Sequence, residues 1–132
     1  YHLIEESGEF VINLTTEKLV KATDYCGVRS GRDVDKFKEM HLTPLASKHI
    51  HAPGIAESPV NIECKVKQVL ELGSHDMFIA DVVNVQADDA YLDPETGAFD
   101  MQRADLLAYS HGKYYGLGEL IGKFGWSVKK KK

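Results

Sequence analysis

In "YCGVRSGRDVDKF", residues 25–37, two glycines, two arginines, Ser30 and Lys36 stand between two apolar helical patterns. Gly31 frees backbone amides, Asp33 can begin a helix, and Arg29, Arg32 and Lys36 lie close in sequence, a set that suits an anion. A polar connection between helices uses the same residue types and is the commoner occurrence, so chain chemistry leaves both open. In "GSHDMF" His75 falls in a turn, where exposure is the default. In "GKFGWS" glycines flank Phe124 and Trp126 near the end of the chain. Such aromatics serve as core or dimer contacts more often than as a platform for a bound ring.

Other chemistries lack their residues. Gly116, Gly118 and Gly122 form G-x-G-x-x-x-G, one residue too long for the dinucleotide fingerprint and too near the C-terminus for a β-α-β unit. G-x-x-x-x-G-K-[ST] is absent, and Ser30 sits in no G-x-S-x-G elbow. Asp33, Asp35 and the acids of residues 88–100 do not follow the ligand spacing of a calcium loop. His49 and His51 would share a strand face, but no third zinc ligand is marked, and two exposed histidines are expected. Cys26, at an apolar helical position, is expected in the core rather than as a nucleophile.

The elements that must position these residues follow from periodicity. "EFVINL", residues 9–14, predicts a short buried strand after the turn-forming Ser7-Gly8. Thr15 or Thr16 can cap a helix with Leu19, Ala22 or Thr23, and Cys26 on one face, ended by Gly27. A second short helix is expected from Asp33 as N-cap, stopping before Pro44. Residues 59–72 alternate apolar with Asn61, Glu63, Lys65 and Lys67, predicting a strand with the apolar face buried and the polar face wet. That strand should pair with residues 77–87 across "GSHD" as an antiparallel hairpin. Residues 88–100 read as a surface loop, "MQRADLL" as one or two helical turns, and "LLAYSHGKYYGLG" as a strand, a turn at His111-Gly112 and a short extended piece. Long antiparallel strands with few short helices point to a small β-barrel.

Composition narrows the class. The 132 residues suit a single domain, residues 1–128, followed by a basic tail at 129–132. With 43% hydrophobic and 27% charged residues the chain reads as globular and soluble. No apolar run is long enough to span a bilayer, and the first residues do not form a signal peptide. Cys26 and Cys64 make neither a metal motif nor a disulfide framework, which fits the cytoplasm. Without the four terminal lysines there are 12 basic against 20 acidic residues, a balance that argues against nucleic acid. Neither a nucleic-acid nor a membrane partner is expected.

Three stretches, "GEFVINLTTEKLVKATDYCGVRSGRDVDKF", "PVNIECKVKQVLELGSHDMFIADVV" and "DLLAYSHGKYYGLGELIGKFGWSV", together resemble the flavin reductase-like family in its flavoredoxin-type branch. The resemblance implies a mainly β, antiparallel split β-barrel that binds FMN and forms a homodimer, with flavin near the subunit interface. It further implies NADH or NADPH as electron donor, or a redox partner protein for an electron-transfer role. Its alternative is a non-catalytic dimeric module, with or without flavin. By the same resemblance Ser30, Arg32 and Lys36 lie in a loop facing the flavin, His75 approaches the isoalloxazine from the hairpin, and Phe124 or Trp126 lies against it. Family chains carry further strands before the segment matching "YHLIEESGEF". The chain opens on Tyr1 rather than methionine, and it is expected to be a piece of a longer protein that supplies the principal phosphate contacts.

Overall fold

The computed structural model describes residues 1–128; the predicted basic tail, Lys129–Lys132, lies outside the described residues. The chain is mainly antiparallel sheet with a few short helices, as its alternation predicts. Helix α1 (His2–Ser7) ends at Gly8, whose positive φ of 65° suits glycine and turns its N–H back to Ile4 O at 2.8 Å. Strand β1 (Glu9–Asn13) follows immediately.

A 3-10 turn at Glu17–Leu19 leads into α2 (Val20–Val28), and Thr16 makes no side-chain cap to it. Gly27 does not end this helix. It lies inside, and Arg29 leaves the helix in an extended conformation with its N–H on Tyr25 O. The next helix, α3 (Lys36–Glu39), is capped by Asp35, which accepts from Lys38 N, and not by Asp33. Asp33 and Val34 instead form a turn whose N–H groups both point at Ser30 O.

The centre of the fold is a three-stranded sheet in the order β1-β4-β5, with β4 (Val60–Glu71) and β5 (Asp76–Ala87) joined by residues 72–75. The hairpin is the predicted one, its turn displaced one residue toward the N-terminus. Two register shifts interrupt it, leaving Val83 extra on β5 and Lys67 extra on β4.

Facing residues across the registers separate the two sides of the sheet. One carries Phe10, Ile12, Val60, Ile62, Cys64, Val66, Val82 and Val85; the other carries Glu9, Asn13, Asn61, Glu63, Asn84 and Gln86. The polar side was expected to be wet. It is covered instead at Asn61 and Glu63, 2% and 0% exposed, whereas Lys65 and Lys67 further along the strand are exposed as expected. On the apolar side Val60 and Cys64 are buried while Ile12, Val82 and Val85 remain exposed.

The cover over the polar side is residues 44–58, which include a two-stranded pairing of β2 (Pro44–Leu45) with β3 (Gly54–Ile55). Its backbone docks on side chains of the sheet. Ile55 N donates to Asn13 Oδ1 at 3.1 Å and Asn61 Oδ1 at 2.8 Å, and Ser58 Oγ donates to Leu14 O and Val60 O. Gly54 is required here, because a Cβ would stand 2.5 Å from Asn61 Oδ1. A buried polar face is stable only when its groups are paired, and every buried side-chain N and O among the described residues is.

The last hairpin pairs β6 (Leu107–Ser110) with β7 (Lys113–Gly116) around His111 and Gly112, both at positive φ, 48° and 73°. That is the turn expected there, with the twist that a two-residue hairpin needs. "MQRADLL" forms turns rather than a helix, and Leu107 N on Thr15 O ties it to the chain just ahead of the 3-10 turn.

Candidate functional site

The loop between α2 and α3 is closed from within. Ser30 Oγ accepts Arg32 N–H at 3.2 Å and keeps its own proton to donate, while Ser30 O holds Asp33 N and Val34 N. Ser30, Gly31 and Arg32 are exposed. The Arg32 guanidinium makes no ion pair among the described residues. Lys36 is half-buried, and its Nζ donates to Cys26 O at 2.7 Å.

Two hollows flank the loop. One of about 460 Å³ is lined by Ser30, Gly31 and Arg32 with Tyr1, His2, Leu3 and Glu6. The other, about 560 Å³, joins Arg32 and Lys36 to Asp33, Asp35 and Phe37. Acids accompany the cations in both. An anion held here therefore depends on directed N–H and O–H donors more than on net charge. In kind, an exposed guanidinium beside a serine hydroxyl fits a phosphate-bearing group.

His75 is exposed at the tip of the β4-β5 hairpin, with Nδ1 3.0 Å from Ser74 Oγ. Ser74 therefore occupies one ring nitrogen and leaves Nε2 for a ligand. Tyr1 connects this tip to the loop. Its ring lies 5.9 Å from that of Phe78, and its side chain lines the hollow beside Ser30 and Arg32. Partial desolvation, then the charges of Glu5, Asp76 and Glu71, push the Tyr1 hydroxyl pKa up. Tyr1 thus touches the hairpin at Phe78 and also borders the hollow beside the loop.

Phe124 and Trp126 stand apart. Both are exposed, and they line a separate hollow with Ile121, Gly122 and Val128. The Trp126 indole packs over Gly122, where a Cβ would meet Nε1 at 2.6 Å. The hollow they line contains none of Ser30, Arg32, Lys36 or His75. His49 and His51 are exposed as expected, but in a bent loop rather than on a strand.

Residues 1–118 match the model of the flavin reductase-like domain. The chain belongs to this family. Flavoredoxin of Desulfovibrio vulgaris (Miyazaki F) is 32% identical and superposes with a TM-score of 0.89, over 98% of this chain and 69% of that one. A putative flavin reductase with a split barrel domain from Shewanella frigidimarina, 24% identical with a TM-score of 0.79 over 93% of this chain and 63% of that one, shows the same fold. The split-barrel expectation is met. An uncharacterized protein of Archaeoglobus fulgidus is 33% identical over 115 residues, 87% of this chain but 63% of its own length. The flavin reductase-like chain therefore spans less than two thirds of that relative. No helix among the described residues is long and apolar enough to cross a membrane.

Glu63 is the polar group that alternation misplaced. Its Oε1 accepts from Lys48 N at 2.9 Å, Asn84 Nδ2 at 2.8 Å and Gln86 Nε2 at 3.0 Å, and its Oε2 from His49 N at 2.8 Å. Desolvation pushes its pKa up, but the donors from Lys48, Asn84 and His49 outweigh it and hold the carboxyl below its ordinary value. Glu9 helps from β1: His51 N on Glu9 Oε2, at 2.8 Å, leads the causes that lower its pKa. Two carboxylates thus pin residues 46–52 to the sheet. One trace of this was available in the sequence: Asn61, Asn84 and Gln86 are neutral amides where solvated strand faces usually carry lysine or threonine.

Proposed function

We propose that this chain is the flavin-contacting part of an FMN-dependent oxidoreductase that works as a homodimer, drawing electrons from NADH or NADPH and delivering them to a flavin or a redox partner protein. The observation that carries this is the match to a flavoredoxin over 98% of the chain at a TM-score of 0.89. FMN, when bound, supplies the hydride and electron chemistry, so no side-chain nucleophile is needed.

The chain's own residues bind and orient. Ser30, Arg32 and Lys36 belong to the loop side of the pocket, where the Ser30 hydroxyl and the Arg32 guanidinium are the groups suited to phosphate or ribityl oxygens. His75 offers Nε2 for a hydrogen bond at the ring or to an incoming nicotinamide, with Ser74 fixing which nitrogen is presented. Phe124 and Trp126 supply exposed aromatic surface that can lie against a ring, in this subunit or its partner. The homodimer is supported by apolar surface left open on the sheet at Ile12, Val82 and Val85 and along the C-terminal segment at Ile121, Phe124 and Val128.

The test is purification of the full-length gene product, identification of any flavin released, and anaerobic titration with NADH and NADPH. A yellow protein that releases FMN and is bleached by a nicotinamide nucleotide is the expected outcome. Retained FMN without bleaching by either donor identifies a carrier instead. A colourless protein that takes up no added FMN overturns the proposal. Sedimentation at micromolar concentration reads the dimer.

A further inference from the structure

We infer that Lys36 is a positioning residue: it closes the α2–α3 loop from behind, and so presents Ser30 and Arg32, instead of itself contacting the flavin phosphate. Helix α2 ends with carbonyls that lack partners within the helix. Tyr25 O is met by Arg29 N, the ordinary last bond. Cys26 O is met by Lys36 Nζ at 2.7 Å, ten residues further along. A cation on the final carbonyls also opposes the negative end of the helix, so the contact has both a hydrogen-bonding and a charge component.

The span that this contact closes is the exposed stretch that carries Ser30, Gly31 and Arg32. Within it Arg32 N, Asp33 N and Val34 N all bond to Ser30, so the turn is internally formed and the lysine fixes where it sits. Asp35, next to Lys36, caps α3 and holds the far side of the closure. Lys36 is half-buried whereas Ser30 and Arg32 are exposed, which separates the residue that holds from the residues that face outward. The consequence for flavin rests on the function proposed above; the closure itself does not.

Lys36→Met and Lys36→Arg in the full-length protein provide the test, read in two ways. In flavin-free protein, trypsin cleavage after Arg29 measures opening of the loop. Loss of a charged hydrogen bond should speed it about tenfold to a hundredfold in Lys36→Met, with Lys36→Arg near the parent. FMN affinity, measured in the parent and in a Ser30→Ala/Arg32→Ala background, shows how Lys36 acts. Positioning predicts that Lys36→Met weakens FMN binding in the parent, that Lys36→Arg restores it, and that Lys36→Met has little further effect once Ser30 and Arg32 are replaced. Unchanged cleavage after Arg29, or an undiminished loss of affinity in the double-alanine background, overturns the inference. A protein that binds no FMN refutes the proposed function, and the cleavage rates still decide whether Lys36 closes the loop.

Discussion

Replacing Glu63 by glutamine keeps the size of the side chain and removes one acceptor from a site that holds four donors. Oε1 receives three of them and Oε2 the fourth, from His49 N at 2.8 Å. A glutamine retains one oxygen. Its best placement keeps the three bonds at Oε1 and turns the new NH2 toward the His49 N–H. Two donors then face each other, and each buried donor left without an acceptor costs about 1–3 kcal/mol. The lower half of that range applies, because the Lys48 and His49 side chains are exposed and their amides reach water once the segment lifts. The expected result is a fall in Tm on the order of 10 °C and loss of exchange protection at the amides of 48 and 49, with the sheet intact. Asn84→Ala should cost less, since Oε1 keeps two donors. A Glu63→Gln protein with unchanged Tm and a still-protected His49 amide would show that the carboxylate does not hold the segment.

Acid should act on the same latch. Glu63 and Glu9 both have lowered pKa values in the fold, so the stability they contribute is present above the ordinary carboxylate value of about 4.3 and is lost as pH falls through the lower folded values. Amide exchange at Lys48, His49 and His51 should rise below about pH 4, and Glu63→Gln should flatten that dependence; a pH-independent opening would exclude the two carboxylates as the cause. Gly54→Ala sets a Cβ 2.5 Å from Asn61 Oδ1, so Asn61 must turn away and lose its bond from Ile55 N, which keeps only Asn13 Oδ1. A loss of about 1–3 kcal/mol in denaturant unfolding is expected, and a neutral substitution would mean that the segment shifts freely. For His75→Ala in the full-length protein, loss of one charged hydrogen bond predicts a ten- to hundredfold weaker FMN affinity or slower reduction, about 1.5–3 kcal/mol, with the fold retained. Unchanged flavin affinity and reduction rate would leave His75 an exposed turn residue.

Strands and tight turns were legible because their determinants are local. The period-two run from Val60 and the pair His111-Gly112 carry their geometry in adjacent residues, and both hairpins form where expected. Helix ends were less so: Gly27 lies inside α2, and one carbonyl near its end is met by Lys36, ten residues on from Cys26, a contact no local pattern announces. Alternation also says that two faces differ, not which one is covered. The cover over Asn61 and Glu63 comes from residues 44–58, and its docking is side chain to backbone, which leaves no apolar trace. At the candidate site, residues 29–36 were readable as a polar loop and His75 as a turn residue. That Tyr1 packs on Phe78 of the hairpin and borders the hollow beside Ser30 and Arg32 depends on contacts between distant segments, and spacing does not encode those.

The same physical device recurs at the two loops that matter most. Residues 46–52 hang on the carboxylates of Glu63 and Glu9, and the loop carrying Ser30 and Arg32 hangs on the Lys36 ammonium. Each charged side chain reaches backbone groups of a distant segment, where apolar packing is sparse. A charged group bonded to backbone holds a position without fixing what the neighbouring side chains are. Loop chemistry can then vary around the clamp, whereas the clamp itself tolerates little change. Substitutions in the sheet should therefore register first in stability, and substitutions at Lys36 first in how the loop is presented. Position and chemistry are carried by different residues.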